Sequence, residues 1–216
     1  MKNQILKVVT ILFIGLAMVA CKDAKNKTEA SEAEEVAKTT AKTVSYAADV
    51  DGSTLAWKGS KLTGTHNGTI KISEGNFSVE GGKLVGGNFI IDMNSIVVLD
   101  LEDPEKNGKL TGHLKSGDFF DVENHANGAF AITGVEEKDG KTVVKGNLTV
   151  KSIKKNIEFP AVVSVSDSGV TLKSEPFTID RTEWGIEYRS TRITDLAKDK
   201  LIDDNIELQV EVKGAK

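Results

Sequence analysis

The sequence predicts an all-β protein whose antiparallel strands close into a barrel. Two features carry this prediction. Apolar and polar residues alternate over 206–213, as expected for a strand with one buried face. Turn residues, such as Asp51-Gly52 and Asp139-Gly140, separate many further short apolar runs. A sandwich or a barrel fits this pattern, and we favour a barrel because closure leaves no edge strands.

The strands and one helix can be placed along the chain. Pro104 suits the first turn of a helix, and Gly117 suits a C-terminal cap. Leu110 and Leu114 between them stand at helical spacing. We therefore predict a short helix near 105–116 that covers one end or side of the barrel. A loop or a second short helix is expected within 191–204, and strands at 54–58, 66–73, 75–80, 83–93, 128–137, 143–150, 157–166, 169–180 and 206–213.

The N-terminus predicts export and lipidation. An apolar run at 8–19, preceded by two lysines, is too short to cross a bilayer but fits the core of a signal peptide. Met18-Val19-Ala20-Cys21 then resembles the lipobox at which a lipoprotein signal peptidase cuts. We expect residues 1–20 to be the signal peptide and Cys21 to carry acyl chains such as palmitate. An ordinary secretory signal followed by a chance cysteine is the alternative.

The next segment predicts a tether between the anchor and the barrel. Residues 22–42 hold five lysines, five acids and no aromatic residue, so they cannot bury enough apolar surface to fold alone. We expect residues 21–42 to be the acylated cysteine and a flexible coil of roughly 25 Å, or a transient helix, and 43–214 to be the barrel domain. The expected location is the cell envelope, as an outer-membrane lipoprotein on the periplasmic or the surface side.

Charge and cysteine content exclude some partners. The chain has 28 basic and 32 acidic residues and a formal net charge of -4, without a basic stripe. Nucleic-acid binding needs clustered Lys and Arg, so no such partner is expected. Cys21 is the only cysteine, which leaves no internal disulfide and no cysteine-based metal site. Membrane contact is expected through the acyl anchor only.

Six blocks of the domain carry a resemblance to a known family. They are WKGSK at 57–61, HNG at 66–68, GNFIIDMNSI at 87–96, LTGHLKSGDFFD at 110–121, GNLTVK at 146–151 and FTIDRTEWGI at 177–186. In this order and spacing, the chain from about 44 to 213 resembles the YceI-like family of polyisoprenoid-binding, lipocalin-shaped proteins. The resemblance implies an eight-stranded antiparallel lipocalin-like barrel with one or two short helices. It also implies an apolar interior that holds an isoprenoid chain, such as a quinone tail or a polyprenyl phosphate, with no other cofactor. It leaves a homodimer possible.

Aromatic and aliphatic residues of the predicted strands are candidates for the lining of a lipid cavity. The alternative is that they fill a solid core, since protein interiors pack densely. The candidates are Trp57, Phe77, Phe89, Ile91, Phe119, Phe120, Phe130, Leu148, Phe159, Phe177 and Trp184.

Polar residues at the barrel mouth are candidates for contacts with a ligand head group: Lys61, His66 and Arg181. Asp180 and Arg181 can alternatively form a structural ion pair. The three histidines, His66, His113 and His125, share no metal-ligand spacing, so no metal is expected.

The sequence offers no sign of an active site. It contains neither a Gly-x-Ser-x-Gly elbow nor a phosphate-binding loop. Asp118 and Asp121 could suggest paired carboxylates, but the two phenylalanines between them more simply anchor this segment on the barrel. We therefore predict no catalytic residues and no enzyme.

Together these features predict a membrane-anchored binding protein that sequesters or transports an isoprenoid or similar long-chain lipid in the cell envelope. One alternative is a structural or interaction module of the envelope with a solid barrel core. A hydrolase or isomerase acting on lipid is another, and it would need a polar group deep in the cavity. An interior volume of several hundred Å³ separates the binding protein from the solid module.

Overall fold

A computed structural model describes residues 26–193 and 195–216. The predicted signal peptide and Cys21 lie outside the described residues. The described elements are β1 (Ser31–Glu32), β2 (Val44–Ala48), β3 (Thr54–Lys61), β4 (Gly64–Glu80), β5 (Lys83–Val98), α1 (Pro104–Lys115), β6 (Asn127–Lys138), β7 (Lys141–Val150), β8 (Ile153–Val165), β9 (Gly169–Ser174), β10 (Phe177–Asp180) and β11 (Asn205–Ala215), with 3-10 turns at Arg181–Trp184 and Lys198–Lys200.

Eight strands form a closed ring. Going round the barrel, β3 pairs with β4, and β5, β6, β7, β8 and β9 follow in turn. The ring closes because β11 pairs with both β9 and β3. All of these pairs are antiparallel, so the predicted all-β barrel of eight strands is confirmed. Strand β2 lies beyond one end of β3 and, like β3, pairs with β4 and β11. Strand β10 lies beyond one end of β9 and, like β9, pairs with β11.

Some strand limits differ from the prediction for local reasons. The two strands expected at 66–73 and 75–80 are one strand, β4, whose register shifts against β5 at three places. Bulges of this kind let a long strand bend around a barrel without ending it. Conversely, the strand expected at 169–180 is interrupted before β10, where Pro176 has no N–H for a ladder. Strand β2 was not expected.

The predicted helix is confirmed as α1. Asp103 caps its N-terminus by accepting hydrogen bonds from the N–H groups of Glu105 and Lys106, and Pro104 occupies the first turn. The buried Leu114 faces the barrel. The cap at the other end is Ser116 in an extended conformation, not Gly117. Its hydroxyl donates to the carbonyl of His113, which gives the last turn a side-chain partner.

Residues 26–37, which we call the strap, lie against the outside of the barrel. The sequence predicts a flexible coil here, but the structure differs. Ser31 and Glu32 pair with β8, and the N–H of Ala37 donates to the carbonyl of Ile132 in β6. These bonds are made mostly by backbone groups on strand edges. Composition does not reveal such partners, which explains the difference.

The two ends of the barrel interior are packed differently. The end near β2 is filled by side chains, among them Phe77, which is fully buried and meets Phe89 edge-on at 5.0 Å between ring centroids. At the opposite end α1 and the chain around 181, 188–189 and 199–203 stand around the opening. The open space inside the barrel therefore lies at the end covered by α1.

Candidate functional site

A cavity of about 500 Å³ lies in the barrel at the end covered by α1. Its lining is mostly apolar side chains from the inner faces of the strands and from α1. Thr63, Gly64 and Lys200 are exposed members of the lining, so the cavity reaches the protein surface beside the β3–β4 turn. The volume falls within the range of 300–1,000 Å³ typical of small-molecule sites.

A smaller space of about 60 Å³ continues the cavity toward the packed end. We call it the inner compartment. Leu55, Ile91, Leu148 and Leu208 line both spaces, so these four residues form the boundary between them. The remaining lining of the inner compartment is aliphatic and aromatic, which makes the deepest part of the interior entirely apolar.

Strand alternation explains which side chains face the cavity. Along β7, Leu148 and Val150 point inward because successive side chains alternate between the two faces of a strand. Gly146, two residues earlier, also faces inward, and the ring of Phe130 lies across it. A Cβ atom on Gly146 would stand 2.2 Å from Cζ of Phe130, so only glycine leaves room for that ring.

The structure places nine of the eleven sequence candidates along the two spaces. The larger cavity is lined by Trp57, Ile91, Phe119, Phe120 and Leu148. The inner compartment is lined by Phe89, Ile91, Phe130, Leu148, Phe159 and Phe177. Whether these residues contact a lipid stays a prediction.

Phe77 and Trp184 lie away from both linings. Phe77 packs in the filled end, where a Cβ atom on Gly214 would be 2.8 Å from its ring. Trp184 is buried in the turn after β10, and its Nε1 donates to the carbonyl of Leu148 at 3.2 Å. Phe77 therefore fills the packed end and Trp184 packs in the turn beside β7, so neither ring faces the open space. Sequence could not distinguish these two positions, because an apolar residue type predicts burial and not which part of the interior a side chain faces.

Sequence reasoning missed several lining residues. Leu55 and Ile206 lie two positions from Trp57 and Leu208, so strand alternation would have found them. Four more strand residues of the lining were also missed: Ile70, Met93, Val150 and Ile179. The missed residues of α1 and of irregular chain, where no strand period applies, are Leu110, Leu114, Tyr188 and Ile202.

Arg181 has a structural role in the cavity wall. Only 1% of it is exposed, and its guanidinium donates to the carbonyls of Ile186, Ile202 and Asp203 and to the carboxylate of Asp204. Burial lowers the pKa of Arg181 below its ordinary value, while the neighbouring carboxylates, led by that of Asp204, act against the shift.

Asp180, the other member of the suggested ion pair, binds elsewhere. It accepts from the guanidinium of Arg192 at 2.7 Å and from the N–H of Thr182. Asp180 and Arg181 therefore do not form the pair that the sequence suggested, and each has its own structural partner. The guanidinium of Arg181 is directed at backbone carbonyls more than at the cavity.

Lys61 and His66 both line the mouth of the cavity. The His66 ring is oriented by a hydrogen bond of 2.8 Å between its Nδ1 and Asp100. Partial burial raises the pKa of Asp100, but hydrogen bonds from the N–H of Asn67 and from His66 outweigh it and hold that pKa below its ordinary value. Asp100 thus stays a carboxylate that can fix the His66 ring.

The other two histidines differ in position. His113 lines the cavity, binds Asp118 through Nε2 at 3.0 Å and meets the Tyr188 ring edge-on at 4.8 Å. His125 lies near the Ser152 hydroxyl. Among residues 26–193 and 195–216, no group of three or more His, Cys, Asp or Glu could hold a metal ion.

Trp57 carries an unusual polar atom. Its indole Nε1 is buried and has no hydrogen-bond partner among the described residues. The ring itself lines the cavity and is 8% exposed.

Among the described residues, 26–193 and 195–216, no helix is long and apolar enough to cross a membrane.

Comparison with known proteins gives family and structural matches. The sequence model of the YceI-like domain matches residues 46–214. BcnA from Burkholderia cenocepacia has a similar structure, with a TM-score of 0.61 at 18% identity over 77% of this chain and 98% of BcnA. A polyisoprenoid-binding domain from Saccharophagus degradans gives 0.56 at 14% identity over 79% of this chain and 97% of that domain. At these identities the likeness shows the fold alone. No curated protein sequence matches the chain.

Proposed function

This chain belongs to the YceI-like family, and from that premise we propose that its barrel binds an isoprenoid or similar long-chain lipid. The observation that carries the proposal is the cavity of about 500 Å³ with its apolar inner compartment. Burial of the lipid tail there would supply the affinity, at about 25 cal/mol per Å² of apolar surface removed from water.

The cavity also weighs against the module with a solid core. That alternative requires the inward side chains to fill the barrel, whereas several hundred Å³ stay open at the α1 end. Catalysis is not needed to account for the site, and the absence of enzyme activity stays a prediction.

The polar mouth supports an orientation for the ligand. The inner compartment offers only apolar side chains, while Lys61, His66 and Lys200 stand where the cavity meets the surface. A lipid would therefore bind tail first, with its head group at the mouth. A quinone and a polyprenyl phosphate both fit this arrangement, and Arg181 would support the wall without binding the head group.

We further propose that the domain works in the cell envelope, anchored through Cys21. If the strap stays on the barrel, only residues 22–25 separate Cys21 from the described chain. Five residues span at most about 17 Å when extended. The anchor would then hold the barrel close to the membrane, ready to exchange lipid with it.

Equilibrium binding of a fluorescent polyprenol tests the lipid proposal. Leu55→Trp puts a larger side chain at the boundary of the two spaces, and Val162→Trp makes the same addition on the exterior, where Val162 is 68% exposed. We expect wild type and Val162→Trp to bind equally and Leu55→Trp to bind about tenfold more weakly or worse. Equal binding by all three proteins would place the probe outside the barrel and contradict the proposal.

The anchor is tested separately by growing producing cells with labelled palmitate. We expect label on the wild-type chain and its recovery with membranes, and neither for Cys21→Ser. An unlabelled wild-type chain in the soluble fraction would remove the anchor while leaving the binding proposal intact.

A further inference from the structure

Two strand edges face each other in the barrel wall without pairing. The pairing of β8 with the chain after β9 ends at a bond from the N–H of Glu175 to the carbonyl of Pro160. Beyond that bond, β8 and β10 run side by side in the wall without hydrogen bonds to each other. Strand β10 pairs with β11 and, at Thr178, with the strap. Strand β8 over 153–159 pairs only with β7 and the strap, so no ladder joins β8 to β10 in the described chain. We call this gap the seam.

The strap bridges the seam by bonding to both edges. On the β10 side, Thr28 donates its N–H to the carbonyl of Thr178, whose own N–H donates to the carbonyl of Asn26. On the β8 side, the Thr28 hydroxyl accepts from the N–H of Glu158 at 3.1 Å. Further along, Glu32 accepts from Nζ of Lys155. The strap thus takes the place of a missing strand.

The inner compartment lies directly behind the seam. Phe159 from the β8 edge and Phe177 from the β10 edge both line it, and their rings stack at 4.5 Å between centroids. Ile157 and Phe159 also line a groove of about 720 Å³ on the outer surface beside the strap. One layer of residues therefore separates the deepest part of the cavity from the exterior.

The strap is attached loosely compared with the strands. Over 26–36, Thr28 is buried and Ala30 half-buried, whereas every other residue is exposed. The C-terminal side of the strap is fixed, because the backbone of Glu34 exchanges two hydrogen bonds with the buried Asn147 side chain and the chain continues into β2. Its N-terminal side is held to the β10 edge by two backbone bonds with Thr178 and by two exposed bonds from the Asn26 amide to Glu175 and to the carbonyl of Pro176. Thr28 is the only buried residue on this side, so little apolar burial adds to those bonds, and the strap can peel from the β10 edge while its C-terminal side stays attached.

We propose that the seam is a side entrance to the barrel for the lipid tail, and that the strap is its gate. This inference rests on the proposed function. When the strap leaves β10 and the Phe159–Phe177 stack parts, a tail can enter the inner compartment sideways without being threaded from the mouth. Since the strap follows the predicted anchor at Cys21, the entrance would open on the side of the barrel held closest to the membrane.

A disulfide between the strap and β10 tests the gate. Lys27 and Thr178 are bridge partners, so Lys27→Cys with Thr178→Cys places two thiols at a separation suited to a disulfide. Ser164→Cys with Thr171→Cys, a pair between β8 and β9, is the matched control away from the seam. Both pairs are made in the full chain carrying Cys21→Ser, and the oxidised and reduced forms of each are compared.

Loading of the fluorescent polyprenol is then followed over time. We expect oxidation to slow loading by about tenfold or more in the seam variant and not in the control, with reduction restoring the rate. Unchanged loading in a chain that binds the probe would overturn the gate and leave the proposed function standing. Failure of every form to bind the probe would instead overturn the proposed function.

Amide hydrogen exchange tests opening without any ligand. The N–H of Thr178 bonds to the strap, and we expect it to exchange faster than the amides of the β7–β8 ladder. Oxidation of the seam variant should slow exchange of the amide at position 178. If that amide is as protected as the β7–β8 ladder in wild type and in both oxidation states of the variant, the strap does not open and the gate is wrong, whatever the probe does.

Discussion

Phe159 and Phe177 stack almost face to face, with ring planes 9° apart, although their strands share no backbone ladder. Elsewhere in the ring, neighbouring strands are joined by hydrogen bonds. Here the contact between two side chains inside the barrel joins the strands, with the strap outside. The same two rings line the inner compartment, so this contact takes part both in closing the wall and in shaping the cavity.

This contact should be important for stability. Phe177 is 3% exposed. Phe177→Ala removes this buried ring and with it the stacking contact on Phe159, so we expect the free energy of unfolding to fall by about 3–5 kcal/mol. Val162→Ala on the outer face of β8 is the control, with an expected change within about 0.5 kcal/mol. Urea unfolding measures both. Similar values for the two variants would show that the stack does not hold the wall.

The two tryptophans should respond differently to the same substitution. Trp184 donates its indole N–H to the Leu148 carbonyl, whereas the indole N–H of Trp57 has no partner in the described chain. A buried group left unsatisfied costs about 1–3 kcal/mol. Trp184→Phe should therefore lower the free energy of unfolding by about that amount, and Trp57→Phe by clearly less. The reverse order in urea unfolding would show that the Trp57 N–H has a partner in solution.

Arg181 should matter for folding more than for ligand choice. Arg181→Met removes the donor to three carbonyls and the cation beside the buried Asp204 carboxylate, which keeps only the bonds from Thr191, and we expect a loss of about 3–5 kcal/mol in the free energy of unfolding. Lys61→Met changes an exposed residue at the mouth, so stability should be preserved and any effect should be on binding. A fully stable Arg181→Met with weakened lipid binding would restore Arg181 as a head-group contact.

The carboxylate of Asp100 should make the free energy of unfolding depend on pH in the acid range. Its pKa is held below the ordinary value in the folded chain. Such a group stabilises the fold above its ordinary pKa of about 3.9, and this contribution is lost as the pH falls through the lower folded value. The wild type should therefore lose its advantage in unfolding free energy over Asp100→Asn below about pH 4. A constant difference between the two proteins down to about pH 2 would contradict this.

The strands and helix could be predicted because their signals are local. Alternation over 206–213, and Pro104 followed by Leu110 and Leu114 at helical spacing, depend on residues within a few positions, and the structure has β11 and α1 there. The same alternation contained part of the site, since Leu55 shares the inward face of Trp57.

Other features depend on long-range contacts that no local pattern contains. The strap pairs with a strand edge more than a hundred residues away, and Arg181 is buried beside Ile186 and the chain from 202 to 204, to which its guanidinium donates. Whether inward side chains meet or leave a space depends on the bending of the long strands. The sequence therefore predicted a barrel but left open whether it is hollow.

Native mass spectrometry of the full chain, purified gently from its own membranes, tests the central claim most directly. We expect a species heavier than the polypeptide with its anchor by the mass of one apolar lipid, which solvent extraction then releases and identifies. Leu55→Trp should lack this species, and Val162→Trp should keep it. A wild-type chain that is always recovered empty, and that takes up no polyprenyl compound when one is offered, would contradict the account.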